Sequence, residues 1–247
     1  MTAFIYIVLF LIGICCGSFV NMMVYRTEVK YKLRKNLTEF KNLKNKDRSF
    51  CDFCGRQLRW YENIPIVSWI MLGGKSKCCH QKLSGYYPVV ELTTGILFVM
   101  FGTNYVGLVM ITLLVFSAVF DLKHMILPDF STYLLIAISL ILGWQNLISG
   151  IGAFLFLLIL HIGTRGKGMG MGDVKYALFM GLILGWPRII VAFYVAFISG
   201  AIVGLGLMFF KKYKKNTKIA FGPFLIAGTM VAYIYGEKIL YYVYRWF

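Results

Sequence analysis

Three aspartates lie where apolar stretches meet polar connections, at Asp121, Asp129 and Asp173. Asp173 follows a segment with glycine at 166, 168, 170 and 172. Acids at membrane depth are costly, and they usually face a protein interior or an aqueous cavity. Two carboxylates held close together cannot both ionise easily, so one keeps a proton while the other acts as a base. Such a pair can hydrolyse a peptide bond without a serine or a metal.

Each aspartate also has a structural interpretation, which these residues alone leave open. Asp173 can cap a helix N-terminus, because aspartate is among the best capping residues. Asp129 follows a proline and is typical of a turn or a helix start. Asp121 can form an ion pair with Lys123 or Lys175.

The composition restricts the elements that position these acids to membrane helices. Of 247 residues, 59% are hydrophobic and 15% charged, and the mean hydropathy is +0.72. These values exclude a disordered chain, a coiled coil and an ordinary soluble enzyme. We therefore predict an all-α integral membrane protein with about eight transmembrane helices. The eight apolar stretches are 2–24, 86–102, 105–120, 131–145, 147–163, 174–186, 189–210 and 220–235.

The net charge of +16 is concentrated in one segment, 26–85, which holds fourteen basic and five acidic residues. With eight spans, this segment and most other Lys and Arg residues share one face, which the positive-inside rule makes cytoplasmic. We expect the basic residues to contact anionic lipid headgroups and expect no nucleic-acid partner. The predicted organisation is a first helix at 1–25, a cytoplasmic loop at 26–85 and a polytopic core at 86–247. Within the loop, 41–47 is predicted to be a solvated connection and 51–85 a small compact unit.

The motifs resemble those of the bacterial type IV prepilin peptidases, a family of GxGD intramembrane aspartic proteases. The signature matches Gly170-Met171-Gly172-Asp173-Val174-Lys175. The first-helix motif matches Gly17-Ser18-Phe19-Val20-Asn21, and the first catalytic region matches Phe120-Asp121 with Ile126-Leu127-Pro128-Asp129. The resemblance runs along nearly the whole chain.

The resemblance implies that Asp121 and Asp173 are the catalytic pair, with Asp129 a lesser candidate because it lies in the turn after the family's aspartate. We expect Glu91, Asp129, Gly170, Gly172 and Lys175 to lie near the substrate or the cavity. Glu91 lies inside a predicted span, where we expect it to hydrogen-bond another helix or to line the cavity.

The resemblance also implies an activity and a location. Family members cleave the leader of type IV prepilins or pseudopilins after a glycine, at the cytoplasmic boundary of the bacterial plasma membrane. Many then methylate the new N-terminal amine with S-adenosylmethionine. We expect the same substrates, methyl donor and multi-pass location here.

The cysteines depart from the family pattern of two CxxC pairs. Cys51 and Cys54 form the first pair, but Ser76 stands three residues before Cys79, where the pattern has a cysteine. A tetrahedral zinc site takes four Cys or His ligands. Cys51, Cys54 and Cys79 could bind zinc with either Cys78 or His80 as the fourth ligand, and His80 is a reasonable substitute because neighbouring cysteines rarely chelate comfortably. The loop could instead hold free reduced thiols, as is usual in the cytoplasm.

Two other functions fit parts of the sequence. A transporter could use intramembrane acids for ion coupling, but it would be expected to show repeats or acids at span centres. A membrane-anchored nucleic-acid-binding module would use the basic loop, which contains no recognised binding motif. The clustering of acids at one face favours the peptidase.

Overall fold

A computed structural model describes residues 2–33, 49–51, 53–101, 104–166, 168–209 and 219–246. Within these residues the secondary structure is helical, apart from two isolated β-bridges in the loop after the first helix. The α-helices are α1 (Thr2–Lys30), α2 (Val67–Met71), α3 (Tyr86–Phe101), α4 (Tyr105–His124), α5 (Asp129–Gly143), α6 (Leu147–Gly163), α7 (Met171–Leu184), α8 (Arg188–Phe209) and α9 (Gly222–Trp246).

Every predicted apolar stretch coincides with a helix, namely α1 and α3 to α9. By length and composition, four helical segments of the described chain can cross a membrane, at Ala3–Lys30, Tyr105–His124, Asp129–Gly163 and Arg188–Phe209. The third of these contains both α5 and α6. The all-α membrane fold class is therefore confirmed, while the figure of eight spans stays a prediction.

Three helices continue beyond the ends of their apolar stretches. Helix α1 runs past Arg26 to Lys30, α4 includes Asp121, and α9 continues to Trp246. Hydropathy marks only the apolar part of a helix, whereas polar residues can extend it, and basic residues are favourable in a last turn. The predicted connection at 41–47 lies outside the described residues.

Backbone contacts divide the chain into two units, Met1–Phe116 and Ser117–Phe247. In the N-terminal unit, α1 packs against α3 through glycines. A Cβ at Gly13 would lie 2.8 Å from Gly95 Cα, and one at Gly17 would lie 2.6 Å from Glu91 Cα. Small residues at these positions let the two backbones approach closely, which is how membrane helices commonly pack.

In the C-terminal unit, α7 is the most enclosed helix and packs against α5 and α6. Most of its residues are buried, including Tyr176, Phe179 and Met180. A Cβ at Gly181 would lie 2.5 Å from the Ser149 carbonyl oxygen of α6. The site residue Asp173 thus stands at the start of a helix held on several sides.

The close contact of α6 and α7 leads to a stability prediction. Replacing Gly181 by alanine should destabilise the protein by about 2 kcal/mol, because the methyl group would meet backbone that cannot rotate away. The matched control is Gly152→Ala in α6, where a Cβ has no atom within 4 Å. Thermal unfolding in detergent should show a lower Tm for Gly181→Ala only. Equal Tm values for the two variants would contradict the packing described.

Candidate active site

Asp121 lies in the last turn of α4 and is buried, with 4% of its surface exposed. Its Oδ2 accepts a hydrogen bond of 3.0 Å from the backbone N–H of Gly222, the first residue of α9. The first N–H groups of a helix have no partner within the helix. The carboxylate therefore satisfies one of them and is itself fixed in orientation.

Asp173 lies in the first turn of α7 and is 9% exposed. Its Oδ2 accepts a hydrogen bond of 3.1 Å from the backbone N–H of Gly170, the residue before the helix. The expected position at a helix N-terminus is confirmed, but the N-cap residue is Gly170, and Asp173 bonds back to it from within the first turn. This contact uses one oxygen, so capping and a second role are compatible.

Leu127 lies against two glycines, one beside Asp173 in the chain and one that is hydrogen-bonded to Asp121. A Cβ at Gly172 would lie 3.1 Å from Leu127 Cβ, and one at Gly222 would lie 3.0 Å from Leu127 Cδ2. The neighbours of Asp173 and Asp121 thus contact the same buried side chain, and the two carboxyl groups interact electrostatically. Close, buried carboxyl groups favour sharing one proton over a second negative charge.

Asp129 occupies a different environment. It is the first residue of α5, and its side chain is 57% exposed. Lys175 Nζ donates a 2.6 Å hydrogen bond to its Oδ1 and lies 5.1 Å from the centre of the Tyr133 ring. The helix-start interpretation of Asp129 is confirmed. Lys175 therefore pairs with Asp129 at the surface.

Glu91 belongs to the N-terminal unit and is buried in α3. Its Oε2 accepts a 2.7 Å hydrogen bond from the backbone N–H of Ile66, and its carboxyl group also interacts with Ser18 and Asn21 of α1. The expectation that Glu91 would bond to another helix is confirmed. The same hydrogen bond stabilises the loop before α2. Ile66 has a φ of 59°, a conformation that persists only where the surrounding structure holds the residue in place.

The four loop cysteines, Cys51, Cys54, Cys78 and Cys79, form one cluster in which all sulfur atoms lie within 4.8 Å of one another. Two short hairpins carry them, closed by the bridges Phe50–Gln57 and Lys75–Lys82. A tetrahedron of Zn–S bonds would place sulfur atoms about 3.8 Å apart. The cluster is compatible with this geometry, since Cys51 and Cys79 Sγ are 3.7 Å apart.

The two hairpins have matching positions, and of the two alternatives for the fourth ligand the structure places Cys78 with the other three cysteines. Cys51 and Ser76 hold matching positions, and so do Gly55 and His80, which share a left-handed φ of 70° and 54°. Among the described residues the cluster comprises the cysteines and does not include His80. Cys79 matches Cys54 in this comparison, and Cys78 supplies the fourth sulfur atom of the cluster.

Ser76 has a role in this cluster although it is no cysteine. Its buried hydroxyl lies 3.3 Å from Cys51 Sγ and 3.0 Å from Cys78 Sγ. Burial raises the pKa of the Cys51 thiol, but hydrogen bonds from Ser76 and from backbone N–H groups outweigh burial and lower this pKa to about 6. These hydrogen bonds therefore favour the thiolate form of Cys51, which is the form that binds metals.

Comparisons with known proteins agree with the motifs. Residues 11–105 match the model of the bacterial peptidase A24 N-terminal domain, and residues 108–205 match that of the type IV leader peptidase family. The chain is 32% identical to a prepilin leader peptidase/N-methyltransferase of Bacillus subtilis (strain 168), over 94% of this chain and 95% of the relative. The chain belongs to the type IV leader peptidase family. The resemblance drawn from its motifs is confirmed.

Two further relatives carry the same name. One from Legionella pneumophila is 30% identical over 98% of this chain and 96% of its own length. One from Aeromonas hydrophila is 29% identical over 96% of this chain and 92% of its own length. No solved structure matches the chain.

Sequence reasoning missed two residues of this candidate site. Gly222 binds Asp121 from 101 residues away, and a Cβ there would lie 2.6 Å from Asp121 Oδ2. The available signal was a Gly-Pro pair that follows a polar connection and begins an apolar stretch. Leu127 was quoted only as part of a motif, and nothing in its type marked it as the contact shared by both glycines.

Proposed function

We propose that this leader peptidase cleaves the leader peptides of type IV prepilins or pseudopilins with Asp121 and Asp173 as its catalytic pair. The observation that carries the proposal is the pair itself. Two buried carboxyl groups from the ends of α4 and α7 interact, and each accepts one backbone N–H at a helix start. Each carboxyl group keeps its other oxygen for a water molecule or a substrate.

The proposed reaction is hydrolysis by water activated between the two carboxyl groups. The ionised aspartate takes a proton from water as the hydroxide oxygen bonds to the carbonyl carbon. The protonated aspartate donates its proton to the carbonyl oxygen, giving a neutral tetrahedral diol. The C–N bond then breaks, the nitrogen receives the proton held by the first aspartate, and one diol hydroxyl returns its proton to the second. The products are a carboxyl group on the leader and an amine on the mature protein.

The glycines before Asp173 support the approach of an extended substrate. Gly168 and Gly170 are exposed, and a Cβ at Gly170 would lie 3.3 Å from Asp173 Oδ2. Their lack of side chains leaves backbone next to the carboxylate open. We place this site at the cytoplasmic boundary of the plasma membrane, because basic residues lie near both aspartates in the chain, Lys123 in the last turn of α4 and Arg165 before α7.

The second proposed activity is methylation of the new N-terminal amine. The relatives' name includes N-methyltransferase, which supports a methyl donor for this chain. We propose S-adenosylmethionine as that donor, prepilins or pseudopilins as partners and anionic lipid headgroups as contacts of the basic loop. The donor supplies an electrophilic methyl group when bound.

We also propose that the cysteine cluster binds one structural zinc ion. Four sulfur ligands suit a tetrahedral zinc site. The lowered pKa of Cys51 favours the thiolate, which is the form that binds a metal. The loop unit is too small to bury a large core, so a metal would stabilise it. Ser76 would orient two ligands through its hydroxyl.

The proposed activity is tested by co-expressing the chain with a candidate prepilin or pseudopilin and determining the mass of the pilin N-terminus. We expect a product that has lost its leader at a glycine and has gained one methyl group on the amine. Intact precursor at full expression of both proteins would contradict the peptidase proposal. A cut but unmethylated product would contradict the methylation proposal alone.

The zinc proposal is tested by elemental analysis of the purified protein. We expect about one zinc ion per chain. We expect Cys51→Ser to lose most of the zinc, because only three of the four sulfur ligands would remain. The control is Cys15→Ser, which changes a cysteine in α1 outside the cluster. Methylation should fall more than cleavage in Cys51→Ser. Zinc-free wild-type protein, prepared without chelators, would contradict the proposed site.

A further inference from the structure

His161 lies in the last turn of α6 and contacts the glycine-rich segment that leads to Asp173. Its Nδ1 lies 2.8 Å from the carbonyl oxygen of Met169. A carbonyl oxygen only accepts hydrogen bonds, so Nδ1 carries the proton and donates it. This contact therefore requires a proton on Nδ1 of the imidazole ring.

The carbonyl bound by His161 and the N–H bound by Asp173 belong to one peptide group. The carbonyl of Met169 and the N–H of Gly170 lie on opposite edges of the same planar unit. The N–H donates to Asp173 Oδ2 at 3.1 Å. The histidine and the aspartate therefore hold the two edges of a single rigid plane, and rotation of that plane would break both bonds together.

A second contact, at Gly166, also ties the described part of this segment to His161. Gly166 has a φ of +69°, and its N–H donates a 2.9 Å hydrogen bond to the carbonyl of His161. Glycine carries no side chain to restrain the chain, and its backbone has the most freedom to lose on folding. His161 consequently holds this segment twice, by its backbone at Gly166 and by its imidazole at Met169.

We propose that His161 is a positioning residue that orients Asp173 through the peptide group between Met169 and Gly170. A donor on the carbonyl polarises the peptide, so its N–H becomes a better donor to the carboxylate. The bond also fixes the direction from which that N–H approaches Asp173 Oδ2, leaving Oδ1 for the chemistry. This inference rests on the proposed catalytic role of Asp173.

Two amide substitutions separate the hydrogen bond from the bulk of the ring. Asparagine places an amide nitrogen at the same number of bonds from Cα as Nδ1, whereas glutamine places one at the distance of Nε2. His161→Asn can therefore keep the donor to Met169, while His161→Gln and His161→Phe lose it. Ile162→Ala is the matched control, because Ile162 is the next residue of the same turn and its side chain is exposed.

The experiment measures kcat and KM for cleavage of a purified pseudopilin precursor by the full-length variants in detergent, beside Asp173→Asn. We expect kcat about tenfold below wild type in His161→Phe and His161→Gln, with KM changed less than about twofold. His161→Asn should recover kcat to within about threefold of wild type, and Ile162→Ala should match wild type.

Wild-type kcat in His161→Phe, beside inactive Asp173→Asn, would overturn the role of His161 and leave the catalytic pair intact. Full cleavage by Asp173→Asn would overturn the pair, and the role of His161 with it. Equal impairment of His161→Asn and His161→Gln would overturn the donor role, since packing would then explain the loss. If His161→Phe is misfolded, as judged by Tm, the comparison of the two amides decides.

Discussion

Asp121→Asn and Asp173→Asn should each lower the rate of leader cleavage by about a thousandfold while the protein stays folded. An amide nearly matches the carboxyl group in shape, but it can neither take a proton from water nor give one to the carbonyl oxygen. Its oxygen can still accept the backbone N–H that each aspartate accepts now. The rate should be measured with a purified precursor, and folding should be followed by Tm in the same detergent.

Asp129→Asn is the control for this pair. Asp129 lies at the start of a neighbouring helix, but it is exposed and bound to Lys175. Removing its charge costs one exposed ion pair, typically about 0–1 kcal/mol, so cleavage should stay within about fivefold of wild type. A large loss in Asp129→Asn, with activity kept in either other variant, would move the catalytic role to Asp129.

Gly222→Ala should lower kcat by about a hundredfold, although the changed residue carries no chemistry. The new methyl carbon would lie 2.6 Å from Asp121 Oδ2 and 3.0 Å from Leu127 Cδ2. Either the carboxyl group or the start of α9 must shift, and the hydrogen bond from the Gly222 N–H would be distorted. A shift of about 1 Å in either group is enough to spoil the alignment of two catalytic carboxyl groups.

The matched control for Gly222→Ala is Gly206→Ala. Gly206 lies in α8, and a Cβ there has no atom within 4 Å. Alanine is the better helix former, so this variant should be as stable and as active as wild type. Wild-type kcat in Gly222→Ala would show that Asp121 does not need its present contact with α9.

The helices were predictable from the sequence because burial in lipid leaves long apolar runs. The runs at 147–163 and 189–210 nearly coincide with α6 and α8. Helix ends were less predictable, since charged residues interrupt the apolar runs near the ends of α1 and α9, at Arg26 and at Glu237-Lys238, while the helices continue. These helix ends are held by backbone hydrogen bonds, which many residue types can make.

The site was predictable where chemistry restricts the residue type. Acids are scarce in the apolar part of the chain, which left few candidates, and the resemblance to the family's motifs selected Asp121 and Asp173 among them. Gly222 could not be chosen, because its role depends on a contact with Asp121 across the fold. The choice between Cys78 and His80 as fourth member of the cysteine cluster could not be made from spacing, because it depends on where the hairpin places each side chain.

The catalytic claim is tested most directly by one mass measurement on the pilin N-terminus. A single purified precursor is incubated with equal amounts of wild-type protein, Asp121→Asn or Asp173→Asn, each folded in detergent with S-adenosylmethionine. We predict a product shortened at a glycine and methylated with wild-type protein, and intact precursor with both variants. A shortened N-terminus produced by either variant at the wild-type rate would contradict the assignment of the two aspartates.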